Sequence, residues 1–273
     1  MDSLSDIDIG PYLRGEKLIG NDYDELSIQR WFSDEAEGYA NLGAKDHESY
    51  VYGYHALNQK HGFSQLPDGP IAHALGFGSA YAEELAPILD RLGHITILDP
   101  SDQLKVAEIR GIPVSYKKPN SLGVIEFPDS TFDLITCFGV LHHIPNVSYV
   151  TSEMGRVLCP GGYLLLREPS VSMGDWRKPR RGLTARERGI PEKIMQASLD
   201  AAGLEIISKA YCDFSPLPRL AEMLGLTEIY NSAVLTQIDA LAGRLFAWNK
   251  RYHRTSAIHS VAPASIFWVC RKS

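Results

Sequence analysis

The chain has 273 residues, 44% of them hydrophobic and 22% charged, with a formal net charge of −6. That composition belongs to an ordinary globular protein whose core needs no staples, and the acidic balance excludes a generic nucleic-acid surface. The four cysteines, Cys137, Cys159, Cys212 and Cys270, show no CxxC spacing; they read as small apolar residues in a reducing compartment rather than as a metal or disulfide set. No apolar run approaches the ~20 residues that span a bilayer. The acidic opening "MDSLSDIDIGPYLRGEK" lacks the apolar stretch of a secretory signal, so a cytoplasmic protein with no membrane span is expected.

Residues 1–68 carry polar stretches set with aromatics, among them Trp31, Phe32, Tyr39, Tyr50, Tyr52 and Tyr54. They read as an N-terminal helical cap or lid, with helices around 24–40 and 46–61. On the second helix Tyr50 and Tyr54 would share a face. From residue 69 to 214, and again over 262–273, short apolar runs alternate with helical patterns. The runs are "IAHALGF", "HITILD", "PVSYK", "FDLITCFGVL", "YLLLREP", "LEIISKAY" and "SIFWVCRK". Unalternating runs such as "ITIL" and "YLLL" suit strands buried on both faces of a parallel sheet.

Leu85, Ile88, Leu89 and Leu92 follow a helical stripe, with Pro87 as a kink. Val150, Met154, Val157 and Leu158 make another, stopped by "CPGG" at 159–162. Pro191 suits the first position of a helix that Gly203 closes. The alternation predicts an α/β, Rossmann-like, doubly wound sheet of seven mostly parallel strands, the last antiparallel. Residues 215–261 break the rhythm. They read as a helical insertion of two apolar-faced helices, whose stripes serve core or homodimer contacts.

In "HALGFGSAYAEEL" a strand ends in the turn Gly76-Phe77-Gly78-Ser79-Ala80 and opens a helix. Such a turn sets backbone N–H groups and a positive helix end beside a ligand. Asp99, 21 residues after Gly78 at the tip of the next strand, can accept hydrogen bonds from ribose hydroxyls or cap the following turn. These two features alone also suit a nicotinamide dehydrogenase.

The segment "FPDSTFDLITCFGVLHHIPN...SEMGRVLCPGGYLLLREPS" goes further. With the glycine turn and the final strand it resembles the class I S-adenosylmethionine-dependent methyltransferases, in the branch that includes the ubiquinone- and menaquinone-biosynthesis enzymes. The resemblance covers about residues 70–210 and the last strand. It implies S-adenosylmethionine as cofactor and a set of roles. Gly76, Phe77 and Gly78 would approach its methionine part; Asp99 and Pro100 would meet the ribose. Ser121 and Leu122 would lie against adenine; Phe138, Gly139 and His142 would lie beside the methyl donor. The sequence departs from the family pattern at Ala74 and Ser121, where acidic residues are usual, and at Ala80, where a third glycine is usual.

Methyl transfer to a hydroxyl needs a base, and His143 and Glu168, at the ends of two strands, are the candidate catalytic residues. The basic stretch 170–191 supplies candidate acceptor contacts in Trp176, Arg177, Arg180 and Arg181, with Arg167 nearby; guanidinium forks suit carboxylate or phosphate. The alternative is a solvated loop whose charges pair with Asp175, Glu187 and Glu192. No HxxxH or HExxH pair is present and no metal is expected. The expectation is O-methylation of a small or glycan-type acceptor, with an anionic acceptor as one option. The competing reading is a non-catalytic binding protein with an eroded cofactor loop.

Overall fold

All seven apolar runs become strands of one sheet. The computed structural model describes residues 7–35, 50–101, 105 and 107–273. In chain order the strands are β1 (Ile71–Phe77), β2 (Leu92–Leu98), β3 (Glu108–Ile109), β4 (Ile112–Lys117), β5 (Phe132–Phe138), β6 (Leu158–Pro169), β7 (Leu204–Phe214) and β8 (Pro263–Lys272). They form an eight-stranded sheet in the order β3-β4-β2-β1-β5-β6-β8-β7. β4, β2, β1, β5 and β6 pair in parallel, whereas β8 runs antiparallel to both neighbours.

The strand beyond the expected seven is β3. Its two residues pair antiparallel with β4 across Arg110 and Gly111, whose φ angles of 49° and 82° suit the tight turn of a two-residue hairpin. A strand that short leaves no periodicity to read.

Alternate residues of the central strands enter two cores. Ile135, Leu164, Leu166 and Trp268 pack on one face with Val150, Met154 and Leu199. Leu134, Leu165 and Phe267 pack on the other with Leu57, Leu85 and Ile88. Burial on both faces is why these runs are apolar without alternation.

The helices, in chain order, are α1 (Gly10–Leu13), α2 (Glu25–Asp34), α3 (His55–His61), α4 (Val147–Val157), α5 (Glu192–Ala201), α6 (Pro216–Met223) and α7 (Ala233–Leu245). Asp24 caps α2 by accepting from the Ser27 amide, as an N-cap aspartate does. Residues 36–49 lie outside the described residues, so the expected helices over 24–40 and 46–61 are seen only in part. Tyr50 and Tyr54 do not share a helix face: α3 begins after both, Tyr50 packs on Tyr81 and Tyr54 stacks on Tyr230.

Two further expectations are corrected. The Leu85–Leu89 stripe is a 3-10 helix, Glu83–Arg91, with Pro87 inside; proline removes a helical donor and crowds the preceding turn. Leu92 already begins β2. Pro191 is the N-cap of α5, with extended ψ of 132°, rather than its first helical residue.

The insertion is fastened at the end of β7. Asp239 of α7 is fully buried and accepts from the Asp213 and Phe214 amides at 3.0 and 2.7 Å. Its outer side exposes Met223, Leu224, Val234, Leu241, Leu245 and Trp248. No helix among the described residues is long and apolar enough to cross a membrane.

Candidate active site

β1 ends at Phe77, and Gly78 follows with φ +65°; its N–H donates to the Leu98 carbonyl at 2.8 Å. A Cβ on Gly78 would lie 2.6 Å from the Val140 methyls, so both the dihedral and the close approach call for glycine. Ala80 and Ala82 have φ of 50° and 55°. Left-handed backbone at an alanine costs roughly 1 kcal/mol, so the turn keeps the shape of a three-glycine loop without the third glycine.

Asp99 braces that shape. The side chain is buried, Oδ2 accepts from the Ala80 amide at 3.1 Å, and Oδ1 accepts from the Ser101 amide at 3.0 Å. The Tyr116 hydroxyl donates to the Asp99 carbonyl at 2.9 Å. Burial raises the Asp99 carboxyl above its usual range. The bond to the Ser101 amide closes the turn after β2; residues 102–104 and 106 lie outside the described residues. A carboxylate has about four acceptor positions, which leaves capacity for a ligand.

The turn separates two clefts. The first holds about 590 Å³ including its open mouth and is walled by Trp31, Phe77, Gly78, Leu98, Pro100, Asn120, Ser121 and Val140. It unites Phe77, Gly78, Pro100 and Ser121 of the expected cofactor set, and its walls are mainly apolar. Leu122 is not a wall; its amide donates to Asn120 Oδ1 and its carbonyl accepts from Asn146, which shapes the segment beside the cleft.

The second cleft, about 860 Å³, is walled by Tyr50, Tyr52, Tyr54, Gly78, Ser79, Glu84, Phe138, Gly139 and Arg167. It gathers Phe138, Gly139 and Arg167. Gly76 lines neither cleft: a Cβ there would lie 2.2 Å from Ser79 Oγ and 3.3 Å from Glu84 Oε1. The glycine makes room for that pair.

The histidines and Glu168 belong to a clamp behind the clefts. Glu168 Oε1 accepts from the Val140 and Leu141 amides at 2.8 Å each; Oε2 accepts from the His142 amide at 3.2 Å and contacts His142 Nδ1 at 2.8 Å. His142 Nε2 lies 3.5 Å from Glu187 Oε1. Burial alone would lower the His142 pKa, but the two carboxylates outweigh it and raise the ring to about 9. Burial likewise opposes ionisation of Glu187, yet the His142 pair brings it to about 2. His142 is therefore an imidazolium held between two carboxylates.

His143 Nδ1 contacts Glu35 Oε2 at 2.8 Å, and Glu35, fully buried, also accepts from Thr184 Oγ1 and the Arg186 amide. Burial would raise the Glu35 carboxyl; these three bonds outweigh it and hold it low. Neither imidazole is a wall of the two clefts. His142, His143 and Glu187 each place a ligand atom within 4.8 Å of the others. This grouping was not visible as a spaced motif, and the contacts above account for it as a hydrogen-bonded ion-pair network.

The basic stretch is tied down internally. Arg177 and Lys178 pair with Asp175, and Arg186 pairs with Asp34. Arg180 donates to the carbonyls of Met173, Thr184, Ala185 and Glu187. Arg181 is exposed. Trp176 is buried with Ile19 and Trp31. Glu187 serves His142, and Glu192 pairs with Lys209 and Lys250 outside the stretch.

Arg188 is fully buried. It donates to five carbonyls, those of Ile19, Leu141, His142, Ile144 and Pro145, and lies over the Trp31 ring. Glu35, Glu84 and Arg188 were not among the expected site residues. Glu35 and Arg188 are known only by partners far away in the chain. Glu84 offered one faint signal, a carboxylate beside Leu85 in an apolar stripe.

A parallel sheet of this order, with a glycine turn after its first strand and a carboxylate at the tip of the second, defines a class. Residues 74–166, about a third of the chain, match the model of the methyltransferase domain family. Among curated relatives, the demethylmenaquinone methyltransferase of Listeria welshimeri is 34% identical over 91 residues, covering 30% of this chain and 36% of that protein. The ubiquinone biosynthesis O-methyltransferase of Dechloromonas aromatica is 33% identical over 81 residues, covering 28% and 35%. The chain thus spans about a third of the length of the curated relatives it matches.

Two solved structures share the fold across most of the chain. The cyclase SpnF has a TM-score of 0.56 at 18% identity, covering 90% of this chain and 96% of that one. An S-adenosylmethionine-dependent methyltransferase from Mesorhizobium loti has a TM-score of 0.51 at 14% identity, covering 77% and 95%. At such identities the likeness shows the fold alone, and a fold hosts more than one chemistry.

Proposed function

We propose that the protein transfers a methyl group from S-adenosylmethionine to an oxygen of a small acceptor. The observation that carries this reading is the pair of clefts meeting at Gly78, beside a turn braced by Asp99. The cofactor supplies an activated methyl group on a sulfonium leaving group. The chain supplies alignment and exclusion of water. In this reading Trp31, Pro100 and Ser121 hold the adenosine side, and Asp99 offers its remaining lone pairs to the ribose.

For a hydroxyl acceptor, proton removal is assigned to His143. Glu35 fixes its orientation through Nδ1 and favours Nε2 as the basic nitrogen. The relatives' names point to the ring of a quinone precursor, and the tyrosine-walled cleft suits a ring. The glycan-type acceptor rested on Arg177, Arg180 and Arg181, two of which are engaged within the loop. A second reading, a binding protein without catalysis, is favoured by one observation: neither imidazole is a wall of either cleft.

Thermal shifts test the first step. At about 100 times Kd, a ligand of the folded state adds about 2.7 kcal/mol, which corresponds to roughly 5–10 °C for a domain of this size. That shift is expected with S-adenosylmethionine and S-adenosylhomocysteine, not with NADH, and is expected to be lost in Asp99→Ala. A shift with NADH alone, or with none of the three, would contradict the reading. A shift without methyl transfer to phenolic acceptors would favour the binding protein.

A further inference from the structure

We propose that the outer face of α7 seats the protein on an anionic membrane surface, resting in the headgroup layer without crossing it. The proposal goes beyond the reading above and does not depend on the cofactor.

The residues of α7 divide into two faces. Thr236, Asp239 and Gly243, three and four apart, are buried. A Cβ on Gly243 would lie 2.5 Å from the Tyr211 carbonyl oxygen, so the helix sits close on β7, and Asp239 holds it there through the Asp213 and Phe214 amides. Val234, Ile238, Leu241, Leu245 and Trp248 recur every four and three residues on the other face. Each of the five is between 48% and 72% exposed. Such spacing keeps apolar side chains in one line along a helix, here about 20 Å long. The line is not core, and with Asp239 fastened it has no means of turning inward.

Ile258 extends the face. The buried Asn249 donates to the carbonyls of Ile258 and Val261 at 2.7 and 3.0 Å. This sets the exposed Ile258 beside the turn that carries Trp248. At the other end Tyr230, three residues before α7, stacks on Tyr54, so one short segment joins the face to the tyrosine-walled cleft.

Charge indicates what covers the face. Between residues 229 and 262 the cations are Arg244, Lys250, Arg251 and Arg254, and the one acid is the buried Asp239. That is the reverse of the acidic balance of the whole chain. Lys250 is engaged by Glu192, and Arg254 by the carbonyls of Ala262 and Pro263. Arg244 and Arg251 are exposed, with no ionic partner among the described residues. Lys60 adds a third cation at the margin by donating to Gln237, next to Ile238. The exposed acids Glu222 and Glu228 belong to α6 and the connection after it.

Two observations disfavour a second copy of the chain. Pairing through this face would set cations against cations, which is costly. A line of six side chains is also well short of the roughly 20–30 residues a side that a stable interface uses. A bilayer surface meets the whole pattern: its acyl boundary takes the apolar line and its anionic headgroups take the flanking cations. Trp248 ends the line with the amphipathic ring that favours this boundary.

Vesicle co-sedimentation tests the proposal, with phosphatidylcholine alone and with phosphatidylcholine containing about 30% phosphatidylglycerol. The protein is expected to bind the anionic vesicles at least about 10-fold more tightly than the neutral ones, and to be released as salt rises. Leu241→Ser combined with Leu245→Ser, and Trp248→Ser alone, are each expected to weaken that binding about 5- to 20-fold. Arg244→Gln is expected to cut the preference for anionic vesicles about fivefold. The side chains are exposed, so the melting point of each variant should stay within about 2 °C of wild type.

No binding to anionic vesicles, equal binding to both kinds, or binding untouched by the apolar substitutions would overturn the proposal. So would a dimer in sedimentation equilibrium that the same substitutions dissociate, which would assign the face to a second copy.

Discussion

Arg188→Met is expected to destabilise the protein by about 4 kcal/mol. The guanidinium satisfies five buried carbonyls drawn from the N-terminal segment and from the turn after β5. The carbonyls of Leu141, His142 and Pro145 keep a backbone N–H donor, whereas those of Ile19 and Ile144 lose the donor that Arg188 gives them, and an acceptor left without a donor costs about 1–3 kcal/mol. Release of a desolvated cation offsets part of that; burial already lowers the Arg188 pKa to about 10. Methionine matches the stem, so the loss reports the head group rather than a cavity. Lysine, with three donors on a single point, is expected to recover less than half. Denaturant unfolding checks this, and a melting point lowered by roughly 10 °C is the matching thermal result. A change below 1 kcal/mol would mean that Arg188 does not pin the cap to the sheet.

Glu168→Gln is expected to cost about 3 kcal/mol near pH 6, since breaking one side of a buried, hydrogen-bonded ion pair leaves the other side uncompensated. Its size should depend on pH. The His142 pKa stands at about 9 in the folded protein, above its usual value near 6.5. Its contribution is therefore fully present below about 6.5 and is lost as pH rises through 9. Glu187, depressed to about 2, contributes above its ordinary pKa near 4.3 and loses that contribution as pH falls through 2. Both contributions are whole between about pH 4.5 and 6.5. The gap between wild type and variant is expected to be widest there and to narrow by pH 9.5. A gap constant from pH 5 to 9.5 would mean that Glu168 acts only through the backbone amides it accepts.

The sheet was legible because burial on both faces leaves runs that a residue-by-residue reading can find. "IAHALGF" spans all of β1, and "SIFWVCRK" lies within β8. The turn after β1 was legible because glycine is demanded there by dihedral and space. The partnerships were not. Glu35 and His143 are 108 positions apart, and Arg188 is one of six cations in a stretch where five have other surroundings. Sequence displays a charge but not what answers it. The same limit made Tyr50 and Tyr54 look like helix neighbours, when each packs on an aromatic from another element. The loss of acid at Ala74 looked like plain erosion until Glu84 was found beside Gly76.

The central claim is that the two clefts meeting at Gly78 form one site for an adenosyl amino acid. A crystal structure of the protein with S-adenosylhomocysteine tests it most directly. The account predicts adenine between Trp31 and Ser121, the ribose near Asp99, and the amino-acid end in the tyrosine-walled cleft. A saturated crystal with the molecule bound elsewhere, or with neither cleft filled, would contradict it.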